Sequence, residues 1–170
     1  MPFNIKIVLM KKYTFLLSLV SMLMLGALKV QAQDYPTAAG LKFGGYEIGP
    51  SIKWFADEHT ALEGIAGFRS GGFAITGLYE VHTRAFNVDK LNFFYGGGAH
   101  LGSLRPGSYN GGRNIYDNNR LLIGADGVVG LEYLFPGSPI VMSVDLDPRI
   151  EFATGPVFDL APALGIKYSF

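Results

Sequence analysis

The chain has 170 residues, no cysteine, 49% hydrophobic and 16% charged residues, 23 glycines and a formal net charge of zero. That balance suits one compact domain and excludes a disordered chain, while the lack of cysteine excludes a disulfide framework, a thiolate metal site, a cysteine nucleophile and a lipidated N-terminal cysteine.

The first element reads as a secretory leader. Lys11 and Lys12 precede an apolar run from Phe15 to Leu28, and Val30-Gln31-Ala32 places small or apolar residues at the cleavage position. Residues 1–32 are therefore expected to be removed as a signal peptide, leaving 33–170 as the mature domain, with Met10 an alternative start to Met1. Removal takes away Lys6, Lys11, Lys12 and Lys29 and no acid, so the mature charge is 10 − 14 = −4, which gives nucleic acid no basic footprint to bind. No later stretch approaches about 18 consecutive apolar residues, so a mature chain that spans a membrane must cross it with strands.

Beyond the leader the apolar periodicity is two. Eight such runs follow in order: 38–45, 49–55, 60–69, 72–85, 91–104, 121–135, 140–150 and 157–170. In the fourth, Phe73, Ile75, Tyr79 and Val81 share one face and Thr76, Glu80, His82 and Arg84 the other. The sixth sets Ile123, Ala125, Val129, Leu131, Tyr133 and Phe135 against Asp126 and Glu132; the seventh sets Met142, Val144 and Leu146 against Ser143, Asp145, Asp147 and Arg149. An even number of alternating runs predicts an all-β fold, an eight-stranded antiparallel up-and-down barrel. The links at 56–59, 86–90 and 136–139 are short and turn-like, whereas 105–120 is a long polar loop. With the N-terminus periplasmic, 46–48, 70–71, 105–120 and 151–156 face outside, so the longest link lies on the side where such barrels carry long loops. Pro148 and Pro162 remove ladder donors, so their strands are expected to shorten or bulge.

Alternation alone fits a membrane barrel with apolar residues outward or a soluble, lipocalin-like barrel with them inward. Glycines among the charged positions (Gly96, Gly98, Gly102, Gly124, Gly130) suit a narrow interior filled by side chains. Aromatics near strand ends (Trp54, Phe68, Phe73, Phe93, Tyr95, Tyr133, Phe135, Tyr168) suit two interfacial girdles.

The last run ends the chain, with Ile166, Tyr168 and Phe170 alternating against Lys167 and Ser169. This ending resembles the C-terminal signature of outer-membrane barrels, and the mature chain is similar over its whole length to small eight-stranded barrels of the OmpA and OmpX type. The resemblance implies a Gram-negative outer-membrane location, recognition by the barrel-assembly machinery, contact with outer-membrane lipid and lipopolysaccharide, and a role in envelope integrity or adhesion.

Apolar-out parity points Lys42, Lys53, Arg69, Arg84, Arg149 and Lys167 inward with Glu63, Glu80, Asp126, Glu132, Asp145, Asp147 and Asp159, and brings His82 and His100 close to them. An eight-stranded barrel has little room beyond its own side chains, so these are expected to pair into a charged plug and not to line a pore. A lipid A-modifying barrel enzyme needs a nucleophilic serine or an activated histidine. The chain has no His-x-Ser pair, so no catalytic residue is assigned and the expectation is a non-enzyme. The three histidines (His59, His82, His100) are too far apart in sequence to suggest a metal site, and Gly96-Gly97-Gly98 lies mid-strand, so no metal or cofactor is expected. The loop residues Arg105, Tyr109, Arg113, Tyr116 and Arg120 suit contact with surface polysaccharide, lipopolysaccharide phosphate or a protein partner.

Overall fold

The computed structural model describes residues 35–45, 47–69, 71–109, 114–153 and 157–170. The expected leader and Arg113 lie outside them. The strands are β1 (Thr37–Gly44), β2 (Ile48–Phe55), β3 (Thr60–Arg69), β4 (Gly72–Arg84), β5 (Leu91–Leu104), β6 (Gly107–Tyr109), β7 (Asn114–Tyr116), β8 (Arg120–Leu134), β9 (Ile140–Glu151) and β10 (Val157–Ser169). No helix occurs among the described residues.

Eight strands close into an antiparallel barrel in the order β1-β10-β9-β8-β5-β4-β3-β2, with β1 hydrogen-bonded to both β10 and β2. Each sequence run matches one barrel strand to within a residue or so at either end. The loop at 105–120 departs from expectation, because β6 and β7 pair there as a separate two-stranded sheet.

The two prolines also behave differently from expectation. β9 and β10 run unbroken through Pro148 and Pro162. The β8–β9 ladder is simply open beside Pro148: pairing resumes in the same register from Asp126↔Arg149 to Val129↔Leu146. Gly127 accommodates the ring, since a Cβ there would lie 2.8 Å from Pro148 Cγ. A proline facing a glycine costs the ladder its donor without forcing a bulge.

Strand direction puts the turns after β2, β4 and β8 at one end with Tyr35 and Ser169. The connections after β1, β3, β5 and β9 lie at the other, the loop end. The turn-end links are held tightly. Asp57 Oδ1 accepts the His59 and Thr60 amides, both at 2.8 Å, and Gly137 takes the positive φ of the β8–β9 turn.

Burial alternates along the strands, and its sense is apolar outward. Leu41, Ile52, Trp54, Ile75, Tyr79, Tyr95, Leu101, Val144, Leu146, Leu164 and Ile166 are exposed, while their strand neighbours Lys42, Lys53, Thr76, Glu80, His100, Asp145 and Lys167 are buried. Aromatics gather towards both ends of the outer face. Phe68 and Phe73 meet at 5.5 Å near the loop end; Phe93–Tyr95 and Tyr133–Phe135 pair near the turn end at 6.0 and 5.0 Å.

Inside, one wall is apolar: Ile65, Leu78, Phe94 and Val128 form a buried cluster. Cross-strand pairing sets large against small, with Leu78 facing Gly98, Val128 facing Gly96, Phe94 facing Gly130 and His100 facing Gly124. A Cβ at Gly98 or Gly96 would run into the neighbouring strand's carbonyl, of Gly77 and Tyr79 respectively. These glycines allow a barrel this narrow to hold bulky side chains.

Candidate functional site: the charged interior

Near the turn end, side chains from four strands converge on one ammonium group of β2. Lys53, fully buried on β2, lies 2.8 Å from Glu80 (β4), 2.8 Å from Glu132 (β8) and 3.5 Å from Glu63 (β3), with its Nζ 4.4 Å from the Phe94 ring centroid. Glu63 is shared with Lys167 of β10 at 2.9 Å and accepts from Ser51 Oγ at 2.9 Å. His82 Nε2 is 3.0 Å from Glu80, and its ring stacks on Phe94 at 5.1 Å. From outside the strands, the Tyr35 hydroxyl donates to Glu132 Oε1 at 2.5 Å. Taking such charges out of water costs several kcal/mol each, so the cluster is tolerable only because each carboxylate meets a cation or donor.

Mid-barrel, Lys42 bridges Asp145 at 3.0 Å and Asp147 at 3.3 Å. Towards the loop end, Arg149 donates through Nε to Asp126 and through an Nη to Glu47 Oε1 at 3.2 Å and Thr76 Oγ1 at 3.3 Å. Thr76 Oγ1 donates to the same Glu47 oxygen at 2.8 Å. His100 stands between two carboxylates, with Nδ1 2.7 Å from Asp126 and Nε2 3.0 Å from Glu151. A cavity of about 20 Å³ bounded by Lys42, Glu47, Thr76, Asp126, Asp147 and Arg149 has room for one water molecule.

Of the residues that parity turns inward, the structure brings together Lys42, Lys53, Glu63, Glu80, His82, Asp126, Glu132, Asp145, Asp147, Arg149 and Lys167. Three stand apart, because parity fixes direction but not depth. Arg84 sits where β4 outruns the packed interior; its side chain is 66% exposed and meets exposed Asp89 at 3.6 Å. Asp159 is exposed near the loop end, accepting the Leu160 amide at 2.9 Å, and Arg69 is half-buried at the end of β3. Conversely, Tyr35 and Glu47 join the network from outside the strands, where alternation gives no signal, and Glu151 joins it from the last position of β9, one residue past the run read from the sequence.

Ser103, the nearest serine in sequence to His100, lies exposed three positions along the same strand, off the face that carries His100. Both inward histidines are instead engaged by carboxylates. On the loop side, Arg105 is exposed and its amide donates to Gly71 O at 2.8 Å, while the Arg120 guanidinium lies 5.3 Å from the Tyr116 ring centroid. Tyr109 ends β6. Ile166, Tyr168 and Phe170 are exposed, alternating with buried Lys167 and Ser169. No protein-family model, curated protein or solved structure matches this chain.

Proposed function

We propose that the protein is an integral outer-membrane β-barrel with a structural or surface-contact role in the envelope, without an open solute channel and without catalytic activity. The observation that carries this reading is the sense of the alternation: large apolar side chains cover the outside of a closed barrel whose interior holds Lys42, Lys53, Lys167, His82, His100 and a set of carboxylates. In water, leaving such side chains about half exposed forgoes a substantial part of the ~1.5–3 kcal/mol that full burial of each contributes. In lipid the same surface is the solvated one, and a closed barrel satisfies every strand edge. A lipocalin-like binder needs an apolar hollow, whereas this interior is filled by ion pairs and the Ile65–Phe94 wall. The same packing argues against a pore.

In this reading the turn end is periplasmic, the loop end faces outside, and residues 1–32 are the export signal. The β6–β7 hairpin with Arg105, Tyr116 and Arg120 is then the surface that meets lipopolysaccharide, polysaccharide or a protein, and the barrel-assembly machinery reads the C-terminal strand. Membrane fractionation followed by mild-detergent gels with and without boiling tests it. Recovery with the membranes and a heat-dependent change in migration are expected; release by osmotic shock, with no change on boiling, would favour the soluble binder.

A further inference from the structure

We propose that His100 and Glu151 form a pH-operated clasp that holds Ala153, just past the end of β9, at the loop end. It rests on the outer-membrane reading only for which way that end faces. Both ring nitrogens of His100 lie within hydrogen-bond distance of carboxylate oxygens, Asp126 Oδ2 at 2.7 Å and Glu151 Oε2 at 3.0 Å. A neutral imidazole has one N–H and a carboxylate has none, so satisfying both contacts takes the imidazolium.

Glu151 is the movable partner. Asp126 is held a second time by Arg149 Nε, deep in the barrel wall, whereas Glu151 is the last residue of β9 and is half-buried. Its other oxygen reaches out of the barrel and accepts two amides, Ile123 of β8 at 2.9 Å and Ala153 of the connection at 3.1 Å. One side chain therefore links the interior cation to the backbone of Ile123 and Ala153. Gly124 makes the arrangement possible, since a Cβ there would lie 2.5 Å from His100 Cε1.

Asp126 of β8 and Glu151 of β9 meet the ring nitrogens and Thr76 of β4 is the cross-strand neighbour of His100; behind them Arg149 of β9 holds Asp126, Glu47 from the β1–β2 connection holds Arg149 and Thr76, and Lys42 and Asp147 share with these groups the lining of the water-sized cavity. When the imidazolium loses its proton to solvent, the remaining N–H stays with the doubly anchored Asp126. The Nε2 lone pair then faces the Glu151 carboxylate, and the contact turns repulsive. The clasp is closed in acid and opens as pH rises.

The chain has no cysteine, so a single Ala153→Cys carries a nitroxide label in the full-length folded barrel in detergent. The expected result is a label that passes from slow to fast motion in one single-proton step as the sample is titrated from acid to alkaline pH. With Glu151→Gln the amide donates to the neutral ring while its oxygen keeps both backbone contacts, and the label stays slow throughout; with His100→Gln the step disappears. Equal mobility at both pH extremes in the parent, or the same step surviving in either variant, overturns the proposal. Because the readout needs only a folded barrel, failure of the clasp and failure of the membrane reading are told apart by the boiled and unboiled gel.

Discussion

The Tyr35 hydroxyl donates to Glu132 Oε1 at 2.5 Å across a sequence separation of 97 residues, so the segment ahead of β1 is tied to β8 through the barrel interior. Burial, reinforced by the Glu132 carboxylate, holds this phenol well above its ordinary value of 10.0. The folded state therefore keeps a proton that the unfolded chain gives up. Its contribution to stability is complete below about pH 10 and falls as pH rises beyond that. Tyr35→Phe should cost about 1.5–3 kcal/mol at neutral pH, the range for a hydrogen bond to a charged group, and should flatten the loss between pH 9 and pH 11. Thermal unfolding of both proteins across that interval measures it.

Lys53 is contacted by Glu63, Glu80 and Glu132, so removing it leaves several buried carboxylates short of a cation. Lys53→Met should destabilise the barrel by about 3–5 kcal/mol, and adding Glu80→Gln should recover part of that by removing one of the stranded charges. Denaturant midpoints of the single and double variants give the coupling directly.

Two glycines on opposite faces make a controlled pair. A Cβ at Gly67 would fall 2.5 Å from Glu47 Oε2, displacing the side chain that binds Thr76 and Arg149; a Cβ at Gly77 has nothing within 4 Å. Gly67→Ala should cost about 1–3 kcal/mol, the usual penalty for overpacking, while Gly77→Ala should stay within about 0.5 kcal/mol of the parent. Equal effects at the two sites would contradict the account of the inner face.

The outer face has its own test. Val144, 51% exposed in the middle of β9, is a lipid-facing position in the proposed reading. Val144→Arg should cost about 2–4 kcal/mol near the bilayer midplane when unfolding is followed from lipid vesicles. For a surface position in water the same change stays within about 0.5 kcal/mol.

Strand identity and facing were readable from the sequence because a two-residue period needs no knowledge of neighbours. Parity alone turns Glu80, Glu132 and Lys53 inward, and the register then brings them together. Where the period stops, so does that legibility. Glu47 precedes β2, Glu151 closes β9 and Tyr35 precedes β1, yet all three send a polar atom into the network. Arg84 shows the opposite case, having the right parity but lying past the packed interior. The open ladder at Pro148 was hidden for a related reason: it depends on Gly127, a residue 21 positions earlier that only the register places opposite the ring.

Trp54 is the only tryptophan in the chain and lies on the outer face of β2, 50% exposed. Its fluorescence in vesicles containing brominated lipids therefore reports on the surface that carries the central claim. Apolar-out insertion predicts blue-shifted emission, strong quenching by bromine on the acyl chains and little quenching by aqueous iodide. Red-shifted emission that iodide quenches and brominated lipid leaves untouched would mean that this face meets water, contradicting the membrane barrel.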